Sequence, residues 1–331
     1  MIFYITVLKA LAAMIITNAH YGGVYPSDIF ANGGLLGDVI FFAVSGFCLV
    51  NIKHTFAKWY RKRIIRIFPI VWIITSVYLL FGLYTFDDGS ALEFYLYPTA
   101  YHFVASIILL YIGFYFVMKI NLLRENIPKL MVGMFALQII VYFLAYDTSY
   151  YHIDAVKEPM VRFLFFQSML LGAYFRINNL KFLNKNSLVN WGALIVLIGA
   201  YFLSKLAFVK FSFLSPYQIL NQIILFAVLY FVFRAFAGID SKLEKMPIKL
   251  KGAFDFIALI TLEIYVVQYV IIPKLAPLVF PLNWIAITAL ILLAAYTLNK
   301  ISAVVIRKIE NGFHLLDSAY DRKFVKKGTS I

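Results

Sequence analysis

Ten apolar runs of roughly 17–25 residues occupy residues 2–21, 35–52, 69–86, 99–118, 128–146, 160–177, 188–204, 217–233, 254–272 and 283–306 of this chain. A run of that length, wound at ~1.5 Å per residue, crosses the ~30 Å hydrocarbon layer of a bilayer as an α-helix. Lipid offers no water to an unpaired N–H or C=O, so such runs must close their hydrogen bonds internally. The expected fold is therefore all-α, a polytopic integral membrane protein with about ten transmembrane helices. Composition agrees: 63% of residues are hydrophobic and 14% are charged, against about a quarter charged in a soluble domain. The first run lacks the basic start and A-x-A site of a cleavable signal, so it is expected to be a retained span. Residues 1–331 read as one membrane domain, with 307–331 as a basic tail. Neither that tail nor the loop 234–253 is long enough for a core of its own.

The thirty Lys and Arg residues divide unevenly between alternate connections. All but six lie in 53–66, 119–129, 176–185, 234–251 and 300–327. The other connections hold only Lys157, Arg162, Lys205, Lys210 and Lys274, and Lys9 lies inside the first run. By the positive-inside rule the richer side is cytoplasmic, and an even number of spans puts both termini there. Asp28, Asp87, Asp88, Glu93, Asp147, Asp154 and Glu158 gather on the opposite side. The net charge of +14 is thereby a topology signal that calls for no nucleic-acid partner. The mixed segment 310–327 reads either as an amphipathic helix on the inner leaflet or as a frayed basic tail.

Ionisable groups inside spans are costly and point to function. In MIFYITVLKALAAMIITNAHY, Lys9 and His20 are eleven positions apart. That is about three turns, so both point to one side of the helix, ~16 Å apart along it. The bland alternatives are a snorkelling Lys9 and an interfacial His20. Asp38, at the start of the second span, could orient an acid–base imidazole, or it is an acid favoured by the helix macrodipole.

In FAKWYRKRIIRIFP, Lys62, Arg63 and Arg66 fall on adjoining parts of an amphipathic interfacial helix that runs up to Pro69. They suit either a cytoplasmic phosphate clamp or plain anchoring. Glu263 sits mid-span in TLEIYVVQ and needs a proton, a Tyr hydroxyl or a basic group as partner. His102, at the start of the fourth span, favours an interfacial role. Ser45 beside Gly46 favours close helix packing, since no G-x-S-x-G elbow supports a serine hydrolase. The single cysteine, Cys48, excludes an internal disulfide and reads as a buried apolar filler. No two histidines have metal-ligand spacing, so no metal is expected.

Together these segments resemble the acyltransferase-3 family, bacterial integral-membrane acyltransferases of surface polysaccharides. LKALAAMIITNAH is similar to the family's Arg-x10-His signature, at Lys9 and His20. LGDVIFFAVSGFCLV is similar to its FFxxSGF span, with Phe41, Phe42, Ser45, Gly46 and Phe47. FAKWYRKRIIRIFPIVW resembles its basic segment ending in Arg-Ile-x-Pro, YHFVASIILLYIGFYF a later span at His102 and Tyr111, and ITLEIYVVQ its C-terminal SLxIYLxH segment. Lys9 stands where Arg is usual, Asp38 lies one place from the usual acid, and Gln268 replaces a common His.

The resemblance implies ten spans in the bacterial cytoplasmic membrane. It also implies acyl transfer from cytoplasmic acetyl-CoA, or another acyl-CoA, to a hydroxyl of a capsule, exopolysaccharide or lipid-linked glycan. Candidate catalytic residues are then His20, as general base, with Asp38 and Glu263. Lys9, Lys62, Arg63, Arg66 and Ser45 are candidates for the donor, and His102 and Tyr265 for the acceptor. The competing class is a polysaccharide exporter or flippase. Against it stand few intramembrane charges, no inverted repeat and no nucleotide-hydrolysis motif.

Overall fold

The computed structural model describes residues 2–155 and 159–324, and its regular structure is helical. In chain order the helices are α1 (Phe3–Ala19), α2 (Gly34–Leu49), α3 (Phe56–Leu80), α4 (Ala91–Tyr95), α5 (His102–Lys119), α6 (Asn121–Glu125) and α7 (Ile127–Ala145). They continue as α8 (Pro159–Ile177), α9 (Asn179–Phe182), α10 (Leu188–Lys210), α11 (Ile219–Gly238), α12 (Asp240–Glu244), α13 (Ile248–Leu259), α14 (Thr261–Leu275) and α15 (Leu282–Phe324). Among the described residues eight helices are long and apolar enough to cross a membrane, or nine if the bent pair α13–α14 is one span. The protein is an all-α, polytopic membrane protein. α1 is also apolar but has 17 residues, short of the 20-residue run expected from sequence.

Three boundaries differ from the sequence expectation, each for a physical reason. The basic segment and the run beginning at 69 form one 25-residue helix, α3, with Pro69 buried inside it. Neighbouring helices in a membrane protein can accommodate the hydrogen bond that proline removes. The run 254–272 is broken at Ile260, where α13 and α14 meet at 72°. The Thr261 hydroxyl donates back to the carbonyls of Ile257 and Ala258, both at 3.1 Å, and so satisfies acceptors at the break. The span from 283 continues without interruption as α15 to Phe324, where Phe313 lies beneath the Arg61 guanidinium at 4.4 Å. The backbone of the tail segment is thus helical as far as Phe324.

α1, α2 and α8 form the centre. Gly37 of α2 lies against Ile16 and the Ala12 carbonyl of α1. Gly46 of α2 and Gly172 of α8 meet each other's helix backbone at Met169 and Ala43. Small residues let helices approach closely where lipid gives no hydrophobic incentive to associate. α7 and α10 turn large apolar side chains outward, among them Val132, Leu144, Ile195 and Leu203. A surface of that kind belongs in hydrocarbon. Buried glutamines link α7, α8 and α11: Gln167 donates to Gln138, and Gln138 to Gln222.

The entry of α1 is held from far along the chain. Ile2 at its N-cap has no side chain able to cap, yet the first amides of a helix need acceptors. Asp240 of α12 supplies one, accepting from the Tyr4 N–H at 2.7 Å. Asp240→Ala is expected to lower stability by about 2 kcal/mol, the scale of a hydrogen bond to a charged group. A melting curve of the detergent-solubilised variant that matches the parent would refute this tie.

Candidate active site

A cavity of about 290 Å³ opens between α1, α2, α3 and α5. Lys9, Ser45, Lys62, Arg63 and Arg66, the five donor candidates from sequence, all line it, with Phe41, Cys48 and Tyr111. α3 brings three of the cations together because positions 62, 63 and 66 are helix neighbours. Arg63 is oriented by Trp59: its guanidinium lies 4.6 Å over the indole and donates to the Trp59 carbonyl at 3.4 Å. Trp59 is itself buried edge-on against Tyr111. Planar stacking and fork geometry of this kind suit arginine and not lysine.

The Lys62 ammonium donates to His54 Nε2 at 3.2 Å in the loop before α3. That charge, with its basic neighbours, holds the exposed imidazole below its ordinary pKa. The mouth of the cavity is therefore strongly positive, as an anion site requires. Cys48 is exposed at this cavity and is not the buried filler expected from sequence.

Further along α1 a second cavity, of about 270 Å³, is lined by His20, Asp38, Asp154, Lys205, Tyr265 and Tyr269 among others. His20 follows the last turn of α1 and presents its ring edge-on to Tyr269, with centroids 5.0 Å apart. The connection to α2 is folded under this end. Asn18 donates to the carbonyls of Phe30 and Asn32, and Gly33 takes the left-handed turn (φ 97°) that starts α2.

Asp38 is the fifth residue of α2 and is buried, past the first turn where the macrodipole acts most strongly. Among the described residues no hydrogen bond joins it to His20. The two share a space without forming a direct pair. Lys205 of α10 and Asp154 form an ion pair on the same wall, N–O 2.5 Å. Sequence reasoning counted these two only as outer-side charges. The available signal was that Lys205 ends an otherwise uncharged apolar run.

The remaining candidates are placed differently. Tyr265 lines the second cavity, and its hydroxyl accepts from the Phe103 N–H at 3.2 Å, one of the unpaired amides at the start of α5. His102, the first residue of α5, lines neither cavity. Glu263 is also outside both, but the break at Ile260 turns a mid-span carboxylate into a first-turn one, where the helix N-terminus favours negative charge. It accepts from Asn299 Nδ2 of α15 at 2.7 Å and lies within electrostatic reach of Lys9. Gln268 is wholly buried and reaches neither cavity. A larger cavity of about 510 Å³ on another face of α1 has no Lys, Arg, His, Asp or Glu in its lining, so its size does not make it a site for acid–base chemistry.

A constriction of about 10 Å³ shares Phe41 with the cationic cavity and Ile16, Phe103 and Tyr265 with the imidazole cavity, and Ala13, Thr17 and α14 complete its wall. One face of α1 thus presents Lys9, then Ala13 and Ile16, then His20 to three successive spaces. Polycationic chemistry at one end and proton-accepting chemistry at the other are held ~16 Å apart by that helix. Comparison with curated proteins and with solved structures gives no significant match. The acyltransferase-3 family model, described as an acyltransferase domain, matches residues 2–299, most of the chain's length, and the protein belongs to that family.

Proposed function

We propose that this protein transfers an acyl group, acetyl in the first instance, from cytoplasmic acyl-CoA to a hydroxyl of a cell-surface or lipid-linked glycan. The observation that carries the reading is the succession of a cationic cavity and an imidazole cavity along one face of α1, in a chain of an acyltransferase family. The setting is the bacterial cytoplasmic membrane, with both termini on the cytoplasmic side. That orientation follows from the excess of Lys and Arg in alternate connections and places the cationic cavity toward the nucleotide pool.

Lys62, Arg63 and Arg66 hold the donor's phosphates, and the thioester arm extends past Lys9 and Ser45 toward His20. The acceptor hydroxyl lies in the second cavity beside Tyr265. His20 takes its proton as the oxygen bonds to the thioester carbonyl. The C–S bond then breaks, and the CoA sulfur leaves as a thiolate that takes the proton from the His20 imidazolium, which restores the base. Direct transfer of this kind needs no covalent acyl-enzyme. Asp38 favours the imidazolium through space. Glu263 acts from outside the cavities, as a counter-charge that positions Lys9.

Arg63→Ala and Arg66→Ala are each expected to raise the donor KM about tenfold or more, the scale of losing a charge-assisted hydrogen bond, with little change in kcat. Steady-state kinetics of purified protein with acetyl-CoA as varied substrate reads this directly; an unchanged KM would return α3 to membrane anchoring. Acyl-CoA-dependent product formation in detergent separates transferase from exporter, because an exporter turns over no thioester.

A further inference from the structure

We propose that Phe41 is the gate between the donor and acceptor cavities and that its ring sets the length of acyl chain the protein accepts. This rests on the transfer reading above, in which the acyl group travels from the Lys9 cavity to the His20 cavity. Phe41 lines both the cationic cavity and the constriction, whereas Phe103 lines both the constriction and the imidazole cavity. Their rings stand edge to face with centroids 4.7 Å apart, so one ring pair borders all three spaces. The space left beside them, about 10 Å³, is about one water probe in size. A thioester carbonyl and its alkyl group do not fit through it, so transfer requires a ring to move.

The surroundings decide which ring moves. Phe103 is buried and packs against Phe42 at 4.7 Å and Tyr265 at 5.4 Å. Its backbone N–H is held by the Tyr265 hydroxyl, and Phe42 is stacked on Phe165 at 4.2 Å. Phe41 is only half-buried and borders the 290 Å³ cavity, so its ring has room to swing. Across the passage Thr17 turns its hydroxyl back to the Ala13 carbonyl at 2.9 Å, leaving an apolar wall. Space for the acyl chain is therefore created by displacing Phe41, and each added methylene demands a larger displacement. Tyr265 is by the same geometry a positioning residue for the fixed side of the gate.

Phe41→Ala and Phe41→Leu in the full-length protein test this with acetyl-CoA and butyryl-CoA as competing donors and the acylated acceptor read by mass spectrometry. The butyryl-to-acetyl ratio of kcat/KM is expected to rise about tenfold or more in Phe41→Ala, the scale at which apolar pockets discriminate methylenes, and by less in Phe41→Leu. An unchanged ratio in both variants, each monodisperse on gel filtration, overturns the proposal.

A second readout needs no turnover. With Cys48→Ala and Ala19→Cys in sealed vesicles, a membrane-impermeant thiosulfonate added on the side of the cationic cavity reports passage through the gate. Labelling of position 19 is expected to be at least about tenfold faster when Phe41→Ala is also present, and equal labelling rates overturn the gate. If the parent protein turns over no acyl-CoA at all, the transfer reading and the length role fall together, and labelling still decides whether Phe41 closes the passage.

Discussion

His20→Ala is expected to lower the rate of acyl transfer by about 10²–10⁴-fold, the usual worth of a positioned general base, while leaving the folded protein intact. The second half of that expectation follows from where the residue sits. His20 follows the final turn of α1, and only its backbone N–H closes that turn, donating to the Thr17 carbonyl at 3.0 Å. Its ring makes an edge contact with Tyr269 and faces a cavity. Removing it exposes no core and strands no buried partner. His20→Gln, which keeps bulk and a hydrogen-bonding tip but cannot take the proton, is expected to be as inactive as alanine. Turnover by reconstituted protein is the measurement, with a melting curve alongside. Activity within about threefold of the parent at normal stability would remove His20 from the chemistry.

The other large effect concerns the contact that places α2. Any side chain at Gly172 would drive its Cβ into the Ala43 carbonyl, and one at Gly46 would strike the Met169 carbonyl. Both obstacles are backbone, so a rotamer change cannot relieve them and the helices must part. Overpacking a tight core costs about 1–3 kcal/mol even when side chains can adjust, so Gly172→Ala is expected to exceed that range and Gly172→Leu to prevent folding. Parting the helices would also open the stacked Phe42–Phe165 pair and shift Phe41, Ser45 and Cys48, all of which α2 sends to the cationic cavity. Thermal stability in detergent by fluorescence-detected gel filtration checks this. Parent-like melting of Gly172→Ala would mean that the helices are less closely packed than the structure has them.

Much of this was legible in the residues, for reasons that can be named. Lys9 and His20 could be aligned because helix geometry is rigid over three turns, and the structure has their positions facing successive cavities. Lys62, Arg63 and Arg66 could be grouped because three- and four-residue spacing defines a helix face. The pairing of Lys205 with Asp154 could not be read, because the two lie in separate elements that only packing brings together. The first-turn setting of Glu263 within its broken span could not be read, because ITLEIYVVQ has no glycine or proline to announce the break at Ile260. His102 was grouped with the site by resemblance, but the residue that α5 turns toward the cavity is its neighbour Phe103.

The sequence by itself determined that the chain is an all-α membrane protein, since long apolar runs have few other ways to satisfy their backbones in lipid. It also determined which residues carry charge within or beside those runs. Only the tertiary structure decided that α2 and α8 meet at glycines, that Ser45 and Lys9 share a cavity with α3, and that two phenylalanines stand between that cavity and His20. The division has a simple cause. Transfer into lipid is a property of each segment alone, whereas a cavity is what remains between several segments after packing, and no one of them encodes it.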